Sequence, residues 1–127
     1  GYGGSGIVVV RYTTGDLSSY NNMTLVSNSV TAESAPTKGH LVMTYTDGAG
    51  TASINSDITA EYSADNGATY TAMTLISKGT TGGHNLASTD EVTLTSTAGT
   101  NMRYRIKTLN QSASKQTRIQ AVSLGWR

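Results

Sequence analysis

The chain has 127 residues, enough for one domain of common size and too few for two. Charged residues make up 13% of it and the formal net charge is +1, which argues against binding driven by the phosphates of nucleic acids. It contains no Cys, which excludes disulfides and thiolate metal sites, and none of its apolar runs reaches the roughly 20 residues that span a bilayer.

A glycine-rich lead opens the chain and runs directly into four consecutive apolar residues at positions 7–10. Glycine tolerates backbone conformations closed to other residues, whereas β-branched residues favour strands. We therefore expect residues 1–6 to end a glycine-rich spacer and residues 7–127 to form a single β-domain. The apolar run also predicts that the first strand, about residues 6–12, is covered on both faces by the domain or by a neighbouring chain.

The next segments alternate between polar turns and predicted strands. Residues 13–22 carry turn signals and are expected to cross the surface before a strand near residues 23–33. After a break at Pro36, a period-2 alternation predicts a strand over residues 40–47. Its apolar face is formed by Leu41, Met43 and Tyr45.

A hairpin is predicted from the alternation of Ile58, Ala60 and Tyr62 and a return strand over residues 70–77. The run between them, Ser63-Ala64-Asp65-Asn66-Gly67-Ala68-Thr69-Tyr70, resembles the Asp-box hairpin of sialidases and related propellers. In that motif the Ser and the Asp brace a tight turn through hydrogen bonds. A single copy therefore indicates a structural turn and not catalysis.

Residues 78–89 contain three glycines and few apolar side chains, which predicts a long flexible loop. His84 lies in this segment and is a candidate ligand contact, with an exposed histidine of no special role as the alternative. Three further strands are predicted at about residues 90–95, 102–110 and 117–126. About eight short strands predict an all-β fold, either an antiparallel β-sandwich or a jelly roll.

The strand over residues 102–110 carries a row of cations. Met102, Tyr104 and Ile106 would face the core, which leaves Arg103, Arg105 and Lys107 on the opposite face. This cationic row is the best candidate binding site, since guanidinium groups bind the acidic groups of surface polysaccharides. The alternative is a solvated face or a set of salt bridges, because charged strands also suppress aggregation.

The remaining side chains with binding or catalytic potential give weaker indications. Trp126 could stack on a sugar, but its alternation with Val122 and Leu124 favours the core. His40 and His84 are the two histidines, and neither has a second ligand at metal-binding spacing. No nucleophile elbow, phosphate loop or dinucleotide motif is present. We predict no catalytic residues, no metal, no cofactor and no enzymatic activity.

Two segments together resemble a known group of proteins. Gly3-Gly4-Ser5-Gly6-Ile7-Val8-Val9-Val10-Arg11-Tyr12 is similar to the end of glycine-rich domains in bacteriophage tail-fibre and appendage proteins. The second resemblance begins at Asp57-Ile58-Thr59-Ala60-Glu61-Tyr62-Ser63 and continues through Met102-Arg103-Tyr104-Arg105-Ile106, Thr117-Arg118-Ile119 and the closing Leu124-Gly125-Trp126. These strings resemble C-terminal β-domains of phage structural proteins.

The resemblance implies a virion protein, the distal domain of a tail fibre or similar appendage. On that basis we expect a homotrimer that associates with other virion chains and attaches to a host-surface glycan, without nucleic acid or membrane insertion. Several weak sites on one particle would act together. Two alternatives are a purely structural fibre or capsid-decoration module and a carbohydrate-binding module of a secreted bacterial protein.

Overall fold

The computed structural model describes the backbone of residues 6–11 and all atoms of residues 21–94 and 99–127. This part of the chain forms eleven strands and no helix: β1 (Gly6–Arg11), β2 (Thr24–Val26), β3 (Val30–Thr31), β4 (Lys38–Ala49), β5 (Ile58–Ser63), β6 (Thr71–Met73), β7 (Ile76–Thr81), β8 (His84–Ser88), β9 (Val92–Thr93), β10 (Asn101–Thr108) and β11 (Gln116–Trp126). It therefore contains no helical segment whose length and hydrophobicity would allow it to cross a bilayer.

The strands form two antiparallel sheets that pack together, which confirms the predicted all-β sandwich. One sheet has six strands in the order β1-β11-β4-β8-β7, with β9 also paired to β4. The other has five strands in the order β2-β10-β5-β6, with β3 also paired to β10. The short strands raise the number above the predicted eight, because several of them come from segments for which the sequence predicts one strand or a loop.

The core lies between the sheets and follows the alternation seen in the sequence. Leu41, Met43, Leu124 and Val122 project inward from the six-stranded sheet, and the five-stranded sheet contributes Ile58, Tyr62, Met102, Tyr104 and Ile106. Each of these side chains is at most 1% exposed. Trp126 is also buried, which confirms its predicted place in the core and removes it as a platform for a sugar.

The predicted strand over residues 23–33 is divided into β2 and β3, which both pair with β10. The interruption begins at Ser27. Its backbone N–H donates to the carbonyl of Tyr104, but its Oγ accepts the hydrogen bond from the Tyr104 N–H at 3.0 Å. A serine hydroxyl thus takes the place of a backbone carbonyl in the ladder, and regular pairing ends there.

The predicted return strand over residues 70–77 is also divided. Thr71–Met73 pairs with β5, as the hairpin predicts, but the chain then crosses to the other sheet and begins β7 at Ile76. Asn55 fixes the crossing at Leu75, since its side chain donates to the Leu75 carbonyl and accepts from the Leu75 N–H. A side-chain amide far along the chain therefore decides where the strand ends.

The prediction of a flexible loop over residues 78–89 is wrong. This segment forms the hairpin of β7 and β8, which turns at Gly82 and Gly83. Both glycines have positive φ, 55° and 81°, the requirement of the tight turns that match the twist of paired strands. The same glycines that suggested flexibility are the residues that the turn needs.

β1 lies at the end of the six-stranded sheet and pairs in the described residues with β11, from Gly6 opposite Trp126 to Arg11 opposite Ala121. The strand itself is as predicted. The side chains of β1, residues 1–5 of the expected spacer and the surface crossing over 13–20 lie outside the described part of the chain. Cover on both faces of β1 by a neighbouring chain therefore stays a prediction.

We expect the Leu41→Ala substitution to lower the free energy of unfolding by about 2–5 kcal/mol, because it leaves a cavity beside fully buried neighbours. The exposed Val26 supplies the control, and Val26→Ala should change that free energy by less than about 0.5 kcal/mol. Urea unfolding followed by fluorescence measures both. Equal effects of the two substitutions would contradict the assignment of the core.

Candidate functional site

The cationic row is formed as predicted on the outward face of the five-stranded sheet. Arg103, Arg105 and Lys107 alternate along β10 with buried residues, and all three are partly exposed. The structure therefore brings these three predicted site residues together on one strand face. Whether these three side chains are available to a ligand depends on the protein groups that they already contact.

Arg105 is held by an acid and an aromatic ring. Its Nε and Nη2 donate to the two carboxylate oxygens of Glu61 at 2.9 and 2.6 Å, and its guanidinium lies 3.9 Å from the centroid of the Tyr70 ring. The hydrogen bonds with Glu61 raise the pKa of Arg105. Lys107 Nζ lies 3.8 Å from the same carboxylate. Glu61 therefore balances part of the charge of the row.

Arg103 braces two loops. Its Nε donates to Asn66 Oδ1 at 2.9 Å and its Nη1 donates to the Ser27 carbonyl at 3.0 Å. These contacts connect β10 to the turn after β5 and to the break between β2 and β3. They match the structural alternative for the row that the sequence left open, and a ligand at the row stays a prediction.

His84 lies apart from the row in the fold. It is the first residue of β8, beside the glycine turn, in the six-stranded sheet. Buried Ala87 fixes the inward face of this strand, so alternation places His84 on the outward face. The row occupies the outward face of the opposite sheet. The structure therefore does not combine His84 and the cationic row into one site.

The Asp-box segment has the hydrogen bonds that its motif predicts. Ser63 Oγ donates to Asp65 Oδ1 at 2.6 Å and accepts from the Gly67 N–H at 2.9 Å. Asp65 also accepts from the Thr69 N–H at 2.9 Å and from the Thr69 hydroxyl. The hydrogen bonds from Ser63 and Thr69 hold the pKa of Asp65 well below its usual range. The side chains of Ser63 and Asp65 are therefore both engaged in hydrogen bonds within the turn.

A cleft of about 230 Å³, called the polar cleft below because seven of its eight lining residues have polar side chains, lies at the end of the sandwich where β10 ends and β2 and β11 begin. The side chains of the residues that line it carry four amides, two hydroxyls, one thioether and one guanidinium. The lining residues are Asn21, Asn22, Met23, Thr108, Gln111, Gln116, Thr117 and Arg118. No acidic residue is among them.

Part of the lining is fixed by internal hydrogen bonds. Gln111 donates through Nε2 to Thr117 Oγ1 at 3.1 Å and accepts through Oε1 from the Thr117 N–H at 2.8 Å. Asn22 Oδ1 accepts from the Gln111 N–H at 3.0 Å. Within the described residues, the Asn22 side-chain N–H groups, Gln116 Oε1 and the Arg118 guanidinium have no protein partner. The cleft thus offers donors and an acceptor from a braced wall.

Asp57 holds the loops beside the cleft. Its carboxylate accepts from Lys115 Nζ at 2.8 Å, from the Ser53 N–H at 2.8 Å and from Asn110 Nδ2 at 2.9 Å. The hydrogen bond from Lys115 is the largest cause that lowers the pKa of Asp57 to about 2. One carboxylate therefore joins the loop between β4 and β5 to the loop between β10 and β11.

Sequence reasoning missed the cleft. Its residues were noticed only as turn signals and as parts of strand patterns, and they come from three separate stretches of the chain. A signal was present, since amide and hydroxyl side chains cluster at residues 21–22, 108–111 and 116–117. Nothing in the sequence states that these stretches meet, because that depends on the strand order.

The comparisons with known proteins add no relative. No family model matches the sequence, and no curated protein or solved structure matches the chain. In the part of the chain that the structure describes, no three His, Asp or Glu side chains are grouped so that they could hold a metal ion.

We predict that Asp57→Asn lowers the free energy of unfolding at neutral pH and makes that free energy depend less on pH in the acid range. The pKa of Asp57 is about 2 in the folded chain against 3.8 for an unperturbed carboxyl, so its contribution is present above pH 3.8 and is lost as the pH falls toward 2. Urea unfolding at pH values from 7 to 2 measures this. Asp90→Asn, at an exposed site, is the control.

The difference in stability between wild type and Asp57→Asn should therefore shrink as the pH falls through this interval. Asp90→Asn should leave the profile nearly unchanged. Superimposable profiles for wild type and Asp57→Asn would contradict the role assigned to this carboxylate.

Proposed function

We propose that the chain is a virion structural protein, the distal domain of a bacteriophage tail fibre or similar appendage, and that it attaches to the host by binding a cell-surface glycan. The virion assignment is supported by the resemblance of the lead and of the strand strings to phage appendage proteins. The observation that carries glycan binding is the polar cleft at the end of the sandwich.

The chemistry of the cleft suits a sugar. Sugar hydroxyls both donate and accept hydrogen bonds, and Asn22 and Gln116 offer both kinds of group. Its volume of about 230 Å³ lies below the roughly 300–1,000 Å³ of sites for drug-sized ligands, which fits one sugar unit of a longer chain. The walls are fixed in advance by the Gln111 and Asn22 hydrogen bonds, so binding would order few side chains.

The two alternatives make different use of the same features. A purely structural module is favoured by the cationic row, whose arginines are engaged with Glu61, Asn66 and Ser27. A carbohydrate-binding module that stacks its ligand on aromatic rings is less well supported, since Trp126 is buried and Arg105 covers one face of Tyr70.

The test of glycan binding is an array of lipopolysaccharide and capsule oligosaccharides, probed with the labelled 127-residue chain. We expect discrete positive spots. Gln116→Ala should weaken them about fivefold, because one hydrogen bond to a ligand contributes about 1 kcal/mol. The Gln116 side chain otherwise donates to an exposed carbonyl at Ala113, so the fold should persist.

Thr80→Ala is the matched control, since Thr80 is exposed on β7 at the opposite edge of the six-stranded sheet from β11 and β1. It should leave every spot unchanged. Absence of binding to every glycan, or equal loss in Thr80→Ala and Gln116→Ala, would overturn the assignment of the cleft.

We further propose that the domain assembles as a homotrimer, which would present three weak sites together. The outward face of the six-stranded sheet supports this, because it carries the partly exposed apolar residues Val42, Leu86 and Ala121 beside the short polar residues Thr44 and Ser123. Light scattering at micromolar concentration should give about three times the chain mass of 13.3 kDa. A folded monomer at that concentration would contradict the trimer.

A further inference from the structure

Arg118 differs from the other arginines whose side chains the structure describes. Arg103 donates to Asn66 and Ser27, Arg105 to Glu61, and Arg127 to both oxygens of Glu91 at 2.7 and 2.6 Å. Within the described residues, the side chain of Arg118 makes no hydrogen bond and no ion pair, although the residue is only partly exposed and lines the polar cleft.

The Arg118 guanidinium lies close to the backbone of β4 at Gly48. A Cβ atom built on Gly48 would lie 2.8 Å from Arg118 Cζ and 2.9 Å from its Nε and Nη2. The φ of Gly48 is not in the left-handed region, so the backbone does not require glycine there. Glycine leaves room for the guanidinium in its present position, and a larger residue would make the end of the Arg118 side chain shift.

In the described part of the chain, Arg118 is thus an unpaired cation among lining residues that are otherwise neutral. The fork of N–H donors of a guanidinium matches the two oxygens of a carboxylate. The other polar lining groups are amides and hydroxyls, which suit the hydroxyls of a sugar ring. With one cation and no acid in the lining, the cleft fits a ligand that carries one negative group.

We propose that the cleft binds an acidic sugar, with Arg118 receiving its carboxylate and with Gly48 keeping the guanidinium in place. This inference rests on the proposed function, because it names the class of glycan that the same cleft would bind. It differs from the cationic row in using a guanidinium that has no partner within the described residues.

The test compares two pairs of sugars that differ in one carboxylate: the methyl glycosides of glucuronic acid and glucose, and those of galacturonic acid and galactose. Each is titrated into the 127-residue chain at low salt, and affinity is measured by calorimetry or ligand-observed NMR. We expect the acid of at least one pair to bind about tenfold more tightly than its neutral partner, as for a hydrogen-bonded charge pair.

Four variants separate the causes of that preference. Arg118→Gln should abolish it, and Arg118→Lys should keep part of it, since charge remains without the fork. Gly48→Ala should reduce it, because the guanidinium is displaced while the charge is unchanged. Lys78→Gln is the control: Lys78 is an exposed cation on β7 with no ion pair in the described residues, and its removal should leave the preference intact.

The outcomes distinguish this inference from the proposed function. Equal binding of acidic and neutral sugars, or a preference that survives Arg118→Gln in folded protein, would overturn the acidic-sugar inference and leave glycan binding standing. If none of the four sugars binds and the glycan array is also blank, both the acidic-sugar inference and the proposed glycan binding are overturned. Thermal unfolding of each variant establishes that a lost preference is not a lost fold.

Discussion

The candidate site depends on the ion pair and the hydrogen bonds of the Asp57 carboxylate. Burial of a charged group is costly unless it is paired and hydrogen-bonded, and here an ammonium, a side-chain amide and a backbone N–H satisfy it. The residue also contributes its backbone, since its carbonyl accepts from the Leu109 N–H at 2.8 Å. Two loops at one end of the sandwich are thereby fixed together, and the cleft lies beside them. The scaffold thus orders a polar surface that apolar packing alone would leave unspecified.

The cationic row of β10 and the arginine of β11 differ in the groups that surround them. Along β10, the strand register places Glu61 opposite Arg105, so part of the charge of the row is balanced within the sheet. On β11, Arg118 lies opposite Thr46, and its side chain forms no ion pair with the acids of the described residues. A cation that already has a carboxylate gains little from another, whereas an unpaired one can contribute its full set of donors to a ligand. We therefore expect a ligand to bind at the cleft and not at the row.

Much of the fold could be predicted because alternation reports burial directly. The faces formed by Leu41, Met43 and Tyr45 and by Val122, Leu124 and Trp126 were predicted from period 2 and are buried. The errors arise where one polar side chain acts on a distant backbone, as Ser27 does on Tyr104 and Asn55 on Leu75. The hairpin of β7 and β8 was missed for another reason, since Gly82 and Gly83 indicate a tight turn and a flexible loop equally well. The cleft could not be predicted, because its stretches become neighbours only through the strand order.

The central claim is that the polar cleft, and not the cationic row, is where a glycan binds. Its most direct test is a titration of the isotope-labelled 127-residue chain with methyl glucuronide, followed through the backbone amide signals in two-dimensional NMR. We predict that the shifts concentrate at Asn22, Gln111 and residues 116–118, with the signals of β10 from Arg103 to Arg105 unmoved. Shifts centred on Arg103 and Arg105, or spread evenly over the domain, would contradict the account.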